Sequence, residues 1–234
     1  EFLEYYYNQR VEIKKGLFTN QKKLKKDPGN TELKYEVERL NTQQMVIKIL
    51  INSCYGYMGN KNAPIGDDDI AASVTLTGQA VIKHSNECLK DFIRNEVGAD
   101  KISEHDLEEC IVYNDTDSSY ISIAPLIKNG VKFWESKEDA LVHQETYDKI
   151  QEIEDRLNED ITSWARKALL TEDPRFVFKR EMIADVATFL QKKRYVMHIL
   201  DDEGIKENKF KYTGVEVVRT TMPNAIKPYA KSII

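Results

Sequence analysis

The sequence predicts an α+β fold, in which a long antiparallel helical hairpin precedes an antiparallel sheet with flanking helices. Residues 2–26 and 31–58 both lack proline, and the turn-forming segment Asp27-Pro28-Gly29-Asn30 separates them. After residue 100, short runs of β-branched and aromatic residues alternate with turn residues, which is typical of strands. Helices grouped before strands favour the α+β class.

The helical part of the chain is predicted to contain three helices. Thr31 is expected to cap the second helix, which runs to about Met58. Residues 60–66 form a loop, and Asp67–Asp69 supply negative charge at the start of a third helix that reaches about Glu96. The second helix carries an apolar stripe at helical spacing, formed by Leu40, Ile47, Leu50 and Ile51.

The second part of the chain is predicted to alternate strands, turns and two further helices. Strands are expected at 109–113 and 118–124, a long helix at 138–170, and a last helix after Pro223. Four later runs have a strand-like composition: Phe176–Phe178, Tyr195–Leu200, Lys209–Tyr212 and Glu216–Val218.

The composition argues against a disulfide-stabilised or membrane-spanning protein. Cys54, Cys88 and Cys110 lack CxxC spacing, which favours reduced thiols over a disulfide framework or a zinc site. The longest apolar run, around Ile47–Ile51, is interrupted by Lys48 and is too short to cross a bilayer. No signal-peptide pattern opens the chain, so we expect a cytoplasmic protein without a membrane partner.

Charge is distributed unevenly along the chain, although the net charge of −5 argues weakly against nucleic acid. Residues 1–26 carry seven bases and three acids, residues 101–160 sixteen acids and six bases, and residues 161–234 fourteen bases and nine acids. Basic ends around an acidic middle suit a protein that holds phosphates at its ends and metal ions between them. A solvated acidic helix from Lys137 to Asp160 is the alternative explanation.

Two carboxylates lie at the tip of a predicted β-hairpin, within the segment Tyr113–Ser118. Asp115 and Asp117 are two residues apart, a spacing that can turn both side chains to one face. Such a pair suits Mg²⁺, which prefers oxygen ligands and keeps waters and substrate phosphates in its shell. An ordinary turn is the alternative, because Asp and Thr are common turn residues.

A polar line runs along the second predicted helix, away from the apolar stripe. Lys48, Asn52 and Tyr55 stand at i, i+4 and i+7, and Arg10 and Lys14 stand at i and i+4 on the first helix. If the hairpin closes, three cations and an amide can converge. They suit a polyphosphate, because Arg offers paired donors and Lys a compact charge. A solvated helix face is the alternative.

A basic segment, Lys192-Lys193-Arg194-Tyr195, stands at the entry to a predicted strand. Three adjacent cations repel one another, and a polyanionic partner would relieve that repulsion. A basic edge that protects the strand from aggregation is the alternative. The sequence has neither a P-loop nor GxGxxG, and its histidines form no pattern for nucleophilic catalysis.

Together these segments resemble family B DNA polymerases, and T-even-like phage enzymes in particular. The opening around Arg10 and Lys14 resembles the start of the first fingers helix. Four motifs follow in the family's order: Lys48–Gly56 for KxxxNSxYG, Tyr113–Ser118 for YGDTDS, Lys192–Tyr195 for KKRY, and Lys211–Glu216 with Arg219 and Pro223 for the stretch entering the thumb. The resemblance implies fingers at 1–58, palm at 59–222 and the start of the thumb at 223–234.

The resemblance also implies a role for each matched residue in DNA-templated transfer of a nucleotide from a dNTP to a primer 3′-hydroxyl. Asp117, with Asp115 as an accessory carboxylate, would hold two Mg²⁺ ions that clamp an in-line displacement. The dNTP-binding residues would be Arg10, Lys14, Lys48 and Asn52. The residues against the nascent base pair would be Tyr55 and Gly56. The residues on the primer–template DNA would be Lys192, Lys193, Arg194 and Tyr195.

The chain departs from the family pattern in two ways. Asn114 replaces the usual glycine of the palm motif, and we expect asparagine to be accepted there because it tolerates left-handed backbone geometry. The family's other palm motif, with a further metal-binding aspartate, would lie upstream of Glu1. We therefore expect a crystallised portion or a split subunit that is inactive alone.

The expected partners follow from the resemblance and, for the further polymerase segments, from the second departure. They are primer–template DNA, dNTP, the upstream palm and exonuclease segments, the thumb, and a sliding clamp as a further candidate. A non-catalytic nucleic-acid-binding or assembly module that keeps the polymerase fold is the alternative function. A purely structural helical hairpin would explain residues 1–58 but not the ordered motifs behind them.

Overall fold

The structure, a computed structural model, describes residues 2–64, 66–127 and 142–233, and the chain divides into two compact units, Glu1–Thr77 and Gly78–Ile234. The division falls inside a helix, and the predicted domain limits at residues 58 and 222 stay predictions. The described elements confirm a mixed α+β fold: α1 (Phe2–Lys26), α2 (Thr31–Met58), α3 (Asp68–Val97), α4 (Glu104–Cys110), β1 (Ile111–Asp115), β2 (Ser118–Ile121), α5 (Gln144–Ala168), β3 (Met182–Gln191), β4 (Arg194–Asp202), β5 (Ile205–Thr213) and α6 (Lys227–Ile233).

The first unit contains the predicted hairpin of α1 and α2. Its cap differs from the prediction, because Asn30 rather than Thr31 occupies the N-cap of α2. The Asn30 backbone is extended, and its side-chain oxygen accepts a hydrogen bond from the Leu33 amide at 2.9 Å. Thr31 is already the first helical residue. The free amides of a helix's first turn make the residue just before the helix the effective cap.

Few side chains of helices α1 and α2 are buried. Leu17 is the buried residue of α1, and Gln44 and Ile47 are those of α2. The start of α3 agrees with the sequence prediction, because the Asp67 carboxylate accepts hydrogen bonds from the amides of Asp69 and Ile70 at 2.9 and 3.1 Å. No helix within the described ranges is long and apolar enough to traverse a bilayer.

The second unit packs the C-terminal part of α3 against α5. Leu89 of α3 forms a buried cluster with Ile153 and Leu157 of α5. The His84 ring stacks on Trp164, with ring centroids 4.7 Å apart, and His84 Nε2 lies 2.5 Å from the Asp160 carboxylate. The predicted helix at 138–170 corresponds to α5, and residues 138–141 lie outside the described residues.

Two antiparallel sheets complete the second unit. One is the β1–β2 hairpin, and the other has the order β3-β4-β5. The central strand β4 is buried continuously from Tyr195 to Asp201. The strand-like runs at 195–200 and 209–212 fall inside β4 and β5, as predicted.

The strand predictions for Phe176–Phe178 and Glu216–Val218 are wrong. Phe176–Phe178 is a loop, because the Asn158 side chain of α5 donates to the Phe178 carbonyl and accepts from its amide, at 2.9 and 2.7 Å. Those bonds satisfy the backbone without a neighbouring strand. Glu216–Val218 forms a 3₁₀ turn. Strand β3 and helix α4 were not predicted.

A buried polar network anchors the entry to the three-stranded sheet. The Asp201 carboxylate, 2% exposed, accepts hydrogen bonds from Arg180, from the Tyr147 hydroxyl at 3.0 Å and from the Gly204 amide at 2.8 Å. Burial opposes ionisation of Asp201, but these bonds, led by that from Arg180, outweigh it and lower its pKa. Burial, followed by the bond to Asp201, raises the pKa of Tyr147 to about 12.

Candidate functional site

The acidic hairpin is present, but its first strand is Ile111–Asp115 and not 109–113, so Asp115 ends a strand and only Asp117 lies in the turn. Asp115 pairs with Ser118 across the hairpin, and Thr116 and Asp117 form the two-residue connection. Thr116 has a left-handed backbone, with φ 57°. The Asp115 carboxylate accepts a hydrogen bond from the Thr116 hydroxyl at 3.1 Å, whereas Asp117 is exposed. Asp117 therefore presents its carboxylate to solvent beside the half-buried Asp115.

Asn114 does not have the left-handed backbone that was expected to explain its presence in place of glycine. It lies inside β1, paired with Ser119, and the left-handed residue of the hairpin is Thr116. The Asn114 side-chain oxygen is buried without a hydrogen-bond partner among the described residues. The neighbouring Ser119 hydroxyl instead donates to Asn86 of α3, at 3.3 Å. Asn114 therefore affects side-chain packing against α3 and not the shape of the turn.

The basic segment forms the turn between β3 and β4. Lys192 and Lys193 connect the two strands, and Lys193 is left-handed, with φ 62°. The Lys193 amide donates to the Tyr113 hydroxyl at 2.9 Å, and its ammonium nitrogen lies 3.6 Å from the Asp115 carboxylate. The Arg194 guanidinium contacts the Glu216 carboxylate at 2.5 Å. The basic turn and the acidic hairpin therefore meet within the second unit.

An aromatic cluster links the two sheets beneath this meeting point. Ring centroids within the cluster are 5.3 to 6.1 Å apart for the pairs among Tyr113, Tyr120, Phe189 and Tyr195. Tyr195 is only 6% exposed, and its hydroxyl lies 2.8 Å from that of Tyr120. Burial and this hydrogen bond raise the pKa of Tyr120. Tyr195 thus lies beneath the basic turn and not on its surface.

The predicted phosphate-binding line lies in the first unit. Arg10 Nε donates to the Gln44 side-chain oxygen at 3.3 Å, and Gln44 donates in turn to Asn41 at 3.0 Å. Lys48 and Asn52 are exposed, one and two helical turns beyond Gln44 on the same face of α2. The structure therefore brings Arg10 against the polar face of α2 that carries Lys48.

Lys14, Tyr55 and Gly56 are the other predicted site residues of the first unit. Lys14 lies over the Phe18 ring, 5.1 Å from its centroid, and the Tyr55 hydroxyl lies 3.5 Å from the Ala71 carbonyl. Gly56 is exposed, and a Cβ there would meet no described atom within 4 Å. Sequence reasoning missed Gln44, although its position four residues before Lys48 is the signal that could have identified it.

The hairpin carboxylates suit a hard cation. Their oxygens match the ligand preference of Mg²⁺, and Asp117 is exposed enough to accept a metal together with its waters and substrate oxygens. Within the described residues, the group of three potential metal ligands is His105, Asp106 and Glu109 on α4, which excludes both hairpin carboxylates. The metal role of Asp115 and Asp117 stays a prediction.

Comparisons with known proteins give one family match and several relatives. The family profile described as DNA polymerase family B matches residues 11–234. The chain is 27% identical over 202 residues to the DNA-directed DNA polymerase of Enterobacteria phage T4, covering 80% of this chain and 21% of that protein. It is 28% identical over 207 residues to the corresponding protein of Escherichia phage RB69, covering 82% of this chain and 22% of that protein.

A third relative comes from another group of viruses. The DNA polymerase of Pyramimonas orientalis virus is 28% identical over 188 residues, which cover 80% of this chain and 13% of that protein. The chain spans about a fifth of the length of its two phage relatives.

Proposed function

The chain belongs to DNA polymerase family B, and from this premise we propose that it carries the fingers and palm portion of a DNA-templated DNA polymerase. The observation that carries the proposal is the meeting of three motifs in the second unit. Lys193 of the basic turn lies 3.6 Å from Asp115 of the acidic hairpin, and Arg194 contacts Glu216 of the following motif. Segments about 80 and 20 residues apart thus form one charged surface. A phage source stays a prediction.

The basic and the acidic residues of this surface suit two different parts of one substrate complex. Lys192, Lys193 and Arg194 would hold the phosphates of a primer–template duplex, and their attraction to DNA is independent of base sequence. Tyr195, buried below them, would support the turn from beneath. Asp115 and Asp117 would lie near the primer end.

The carboxylates would hold Mg²⁺, with Asp117 as the main ligand and Asp115 as the accessory one. Bound Mg²⁺ would lower the pKa of the primer 3′-hydroxyl and stabilise the charge on the leaving pyrophosphate. The Thr116 hydroxyl and the Lys193 ammonium both lie against Asp115, which orients that carboxylate and leaves Asp117 the more accessible.

The helical hairpin of the first unit would supply the dNTP. Arg10, Lys14 and Lys48 would bind its phosphates, because an arginine fork and ammonium charges match a triphosphate. Asn52 would add an amide donor, and Tyr55 with Gly56 would lie against the nascent base pair. Selection of the dNTP would then follow the shape of the base pair and not the base sequence.

The experiment is a primer-extension assay with Mg²⁺ on the chain alone and on the chain mixed with a polypeptide that carries the family's upstream palm motif. We expect no appreciable extension by the chain alone and restored extension in the mixture. Asp117→Ala should reduce the restored rate by about 1,000-fold, since a bound metal contributes several kcal/mol to transition-state stabilisation. Glu159→Ala, which removes another exposed acid of the same unit, is the matched control.

Three results would contradict parts of this proposal. Extension at normal rates by the chain alone would refute the need for a further segment. Restored extension that survives Asp117→Ala would refute the metal assignment. Duplex binding without any rescue would favour a non-catalytic nucleic-acid-binding module.

A further inference from the structure

Lys193 has a backbone conformation that lysine rarely adopts. Its φ of 62° lies in the left-handed region, where a side chain with a Cβ is strained. A residue persists in such a conformation only when its surroundings hold it there. The contacts around Lys193 therefore identify what keeps the basic turn in shape.

Two contacts hold the Lys193 backbone. On one side, its amide donates to the Tyr113 hydroxyl at 2.9 Å. On the other, Gly214 approaches so closely that a Cβ at that position would lie 2.0 Å from the Lys193 carbonyl oxygen. A glycine is needed at position 214 because of this approach and because its own φ is 61°.

The Tyr113 hydroxyl is itself held rigidly. Its ring packs on Tyr120, Phe189 and Tyr195, with centroids 5.6, 5.3 and 6.1 Å away. Strand β1 thus carries two groups directed at Lys193, the hydroxyl that binds its backbone and, two residues later, the Asp115 carboxylate near its ammonium. The exposed ion pair contributes little by itself, since the Lys193 side chain is 63% exposed.

We propose that Tyr113 is a positioning residue, whose hydroxyl fixes the Lys193 backbone so that the ammonium stands ready for the primer–template backbone beside Asp115. The inference rests on the proposed role of Lys193 in DNA binding. A fixed turn lowers the entropy lost when the lysine engages a phosphate. The same bond ties the DNA-holding turn and the acidic hairpin together.

The test removes one oxygen atom. Tyr113→Phe keeps the ring in the cluster but deletes the acceptor for the Lys193 amide, and Tyr120→Phe deletes the matched oxygen that contacts Tyr195. Two quantities are measured on the full chain: hydrogen exchange of the Lys193 amide, and the Kd for a fluorescent primer–template duplex at fixed salt. Thermal unfolding of each variant verifies folding.

We expect Tyr113→Phe to accelerate exchange of the Lys193 amide about tenfold and to raise the duplex Kd roughly threefold to tenfold, as loss of one hydrogen bond would. Tyr120→Phe should leave both quantities within about twofold of wild type. Gly214→Ala, which displaces the same backbone from its other side, should weaken duplex binding as well.

A double variant separates positioning from general loosening. Lys193→Ala should weaken duplex binding, and adding Tyr113→Phe to it should cause no further loss, because the hydroxyl acts only through that lysine. Two results would overturn this inference but leave the proposed DNA role of Lys193 intact. One is full additivity of the losses in duplex-binding free energy caused by Tyr113→Phe and Lys193→Ala. The other is faster amide exchange in Tyr113→Phe with an unchanged Kd. Wild-type binding by Lys193→Ala contradicts the proposed DNA role of Lys193 and the inference that rests on it.

Discussion

The helical hairpin of the first unit and the two-sheet region of the second present their charged residues in opposite ways. In the hairpin, Lys48 and Asn52 project from an exposed helix face over a small core. In the second unit, Lys193 and Asp115 meet through contacts between residues about 80 positions apart. Helical periodicity alone positions Lys48 and Asn52, whereas tertiary packing positions Lys193 and Asp115. Substitutions in the hairpin should therefore alter binding without altering stability.

The largest expected effect lies in the packed second unit. Asp201→Asn leaves the Arg180 guanidinium without its buried counter-charge, so the free energy of unfolding should fall by about 3 kcal/mol. Urea denaturation measures the loss, and Lys48→Ala in the exposed hairpin should change stability by less than about 0.5 kcal/mol. A loss below about 1 kcal/mol for Asp201→Asn would mean that the network does not anchor the sheet.

The same network predicts a pH dependence. The pKa of Asp201 is lowered from its ordinary value of 3.8, so its ionised form stabilises the folded state above that pH. That stabilisation is lost as pH falls through the lowered pKa of the folded protein. The stability difference between wild type and Asp201→Asn should therefore be constant near neutral pH and shrink below about pH 4.

The second largest effect is expected at Lys48, on the exposed face of the hairpin. In a mixture of the chain with a polypeptide that carries the family's upstream palm motif, Lys48→Ala should raise the KM for dNTP by about 10-fold to 100-fold, as loss of a charge-assisted contact would. The Kd for primer–template and the stability should stay unchanged, because Lys48 is exposed. Lys34→Ala on the same helix is the control. Weakened duplex binding with normal use of dNTP would reverse the assignment.

A smaller effect on the KM for dNTP is expected at Gln44, a buried residue of the otherwise exposed hairpin. Gln44→Met keeps the volume of a residue that is 8% exposed but removes the acceptor for Arg10. We expect the KM for dNTP to rise about fivefold, consistent with one hydrogen bond of about 1 kcal/mol. Gln43→Met, at the exposed neighbouring position, should leave KM unchanged. An equal KM for both variants would show that Arg10 needs no such support.

The smallest expected effect concerns packing beside the carboxylates. Asn114→Ala removes a buried oxygen that has no partner among the described residues, so the free energy of unfolding should rise by about 1 kcal/mol. Asn158→Ala is the contrasting variant, because its amide makes two bonds to Phe178 and its loss should be destabilising. Chemical denaturation compares the two. Destabilisation by Asn114→Ala would indicate that its oxygen is satisfied in solution.

Sequence patterns predicted the elements that local chemistry dictates and missed those that distant contacts dictate. The α1–α2 hairpin, α3 and the acidic turn agree with prediction because turn residues and helical spacing act within a few positions. Strand β3 escaped prediction because three register shifts against β4 interrupt its alternation. Helix α4 is only seven residues long, and its signal was the Ser103 capping box. Phe176–Phe178 has strand composition, but its backbone bonds to Asn158.

The helical hairpin and the acidic turn can be read from the sequence, since each depends on nearest neighbours and period, and the ordered motifs identify the family. Three relations are seen only in the folded chain: Lys193 lies beside Asp115, Tyr195 is buried, and Gln44 contacts Arg10. Those relations depend on strand pairing, aromatic packing and the close approach of Gly214 to Lys193. Such contacts join residues far apart in the chain, so no local pattern encodes them.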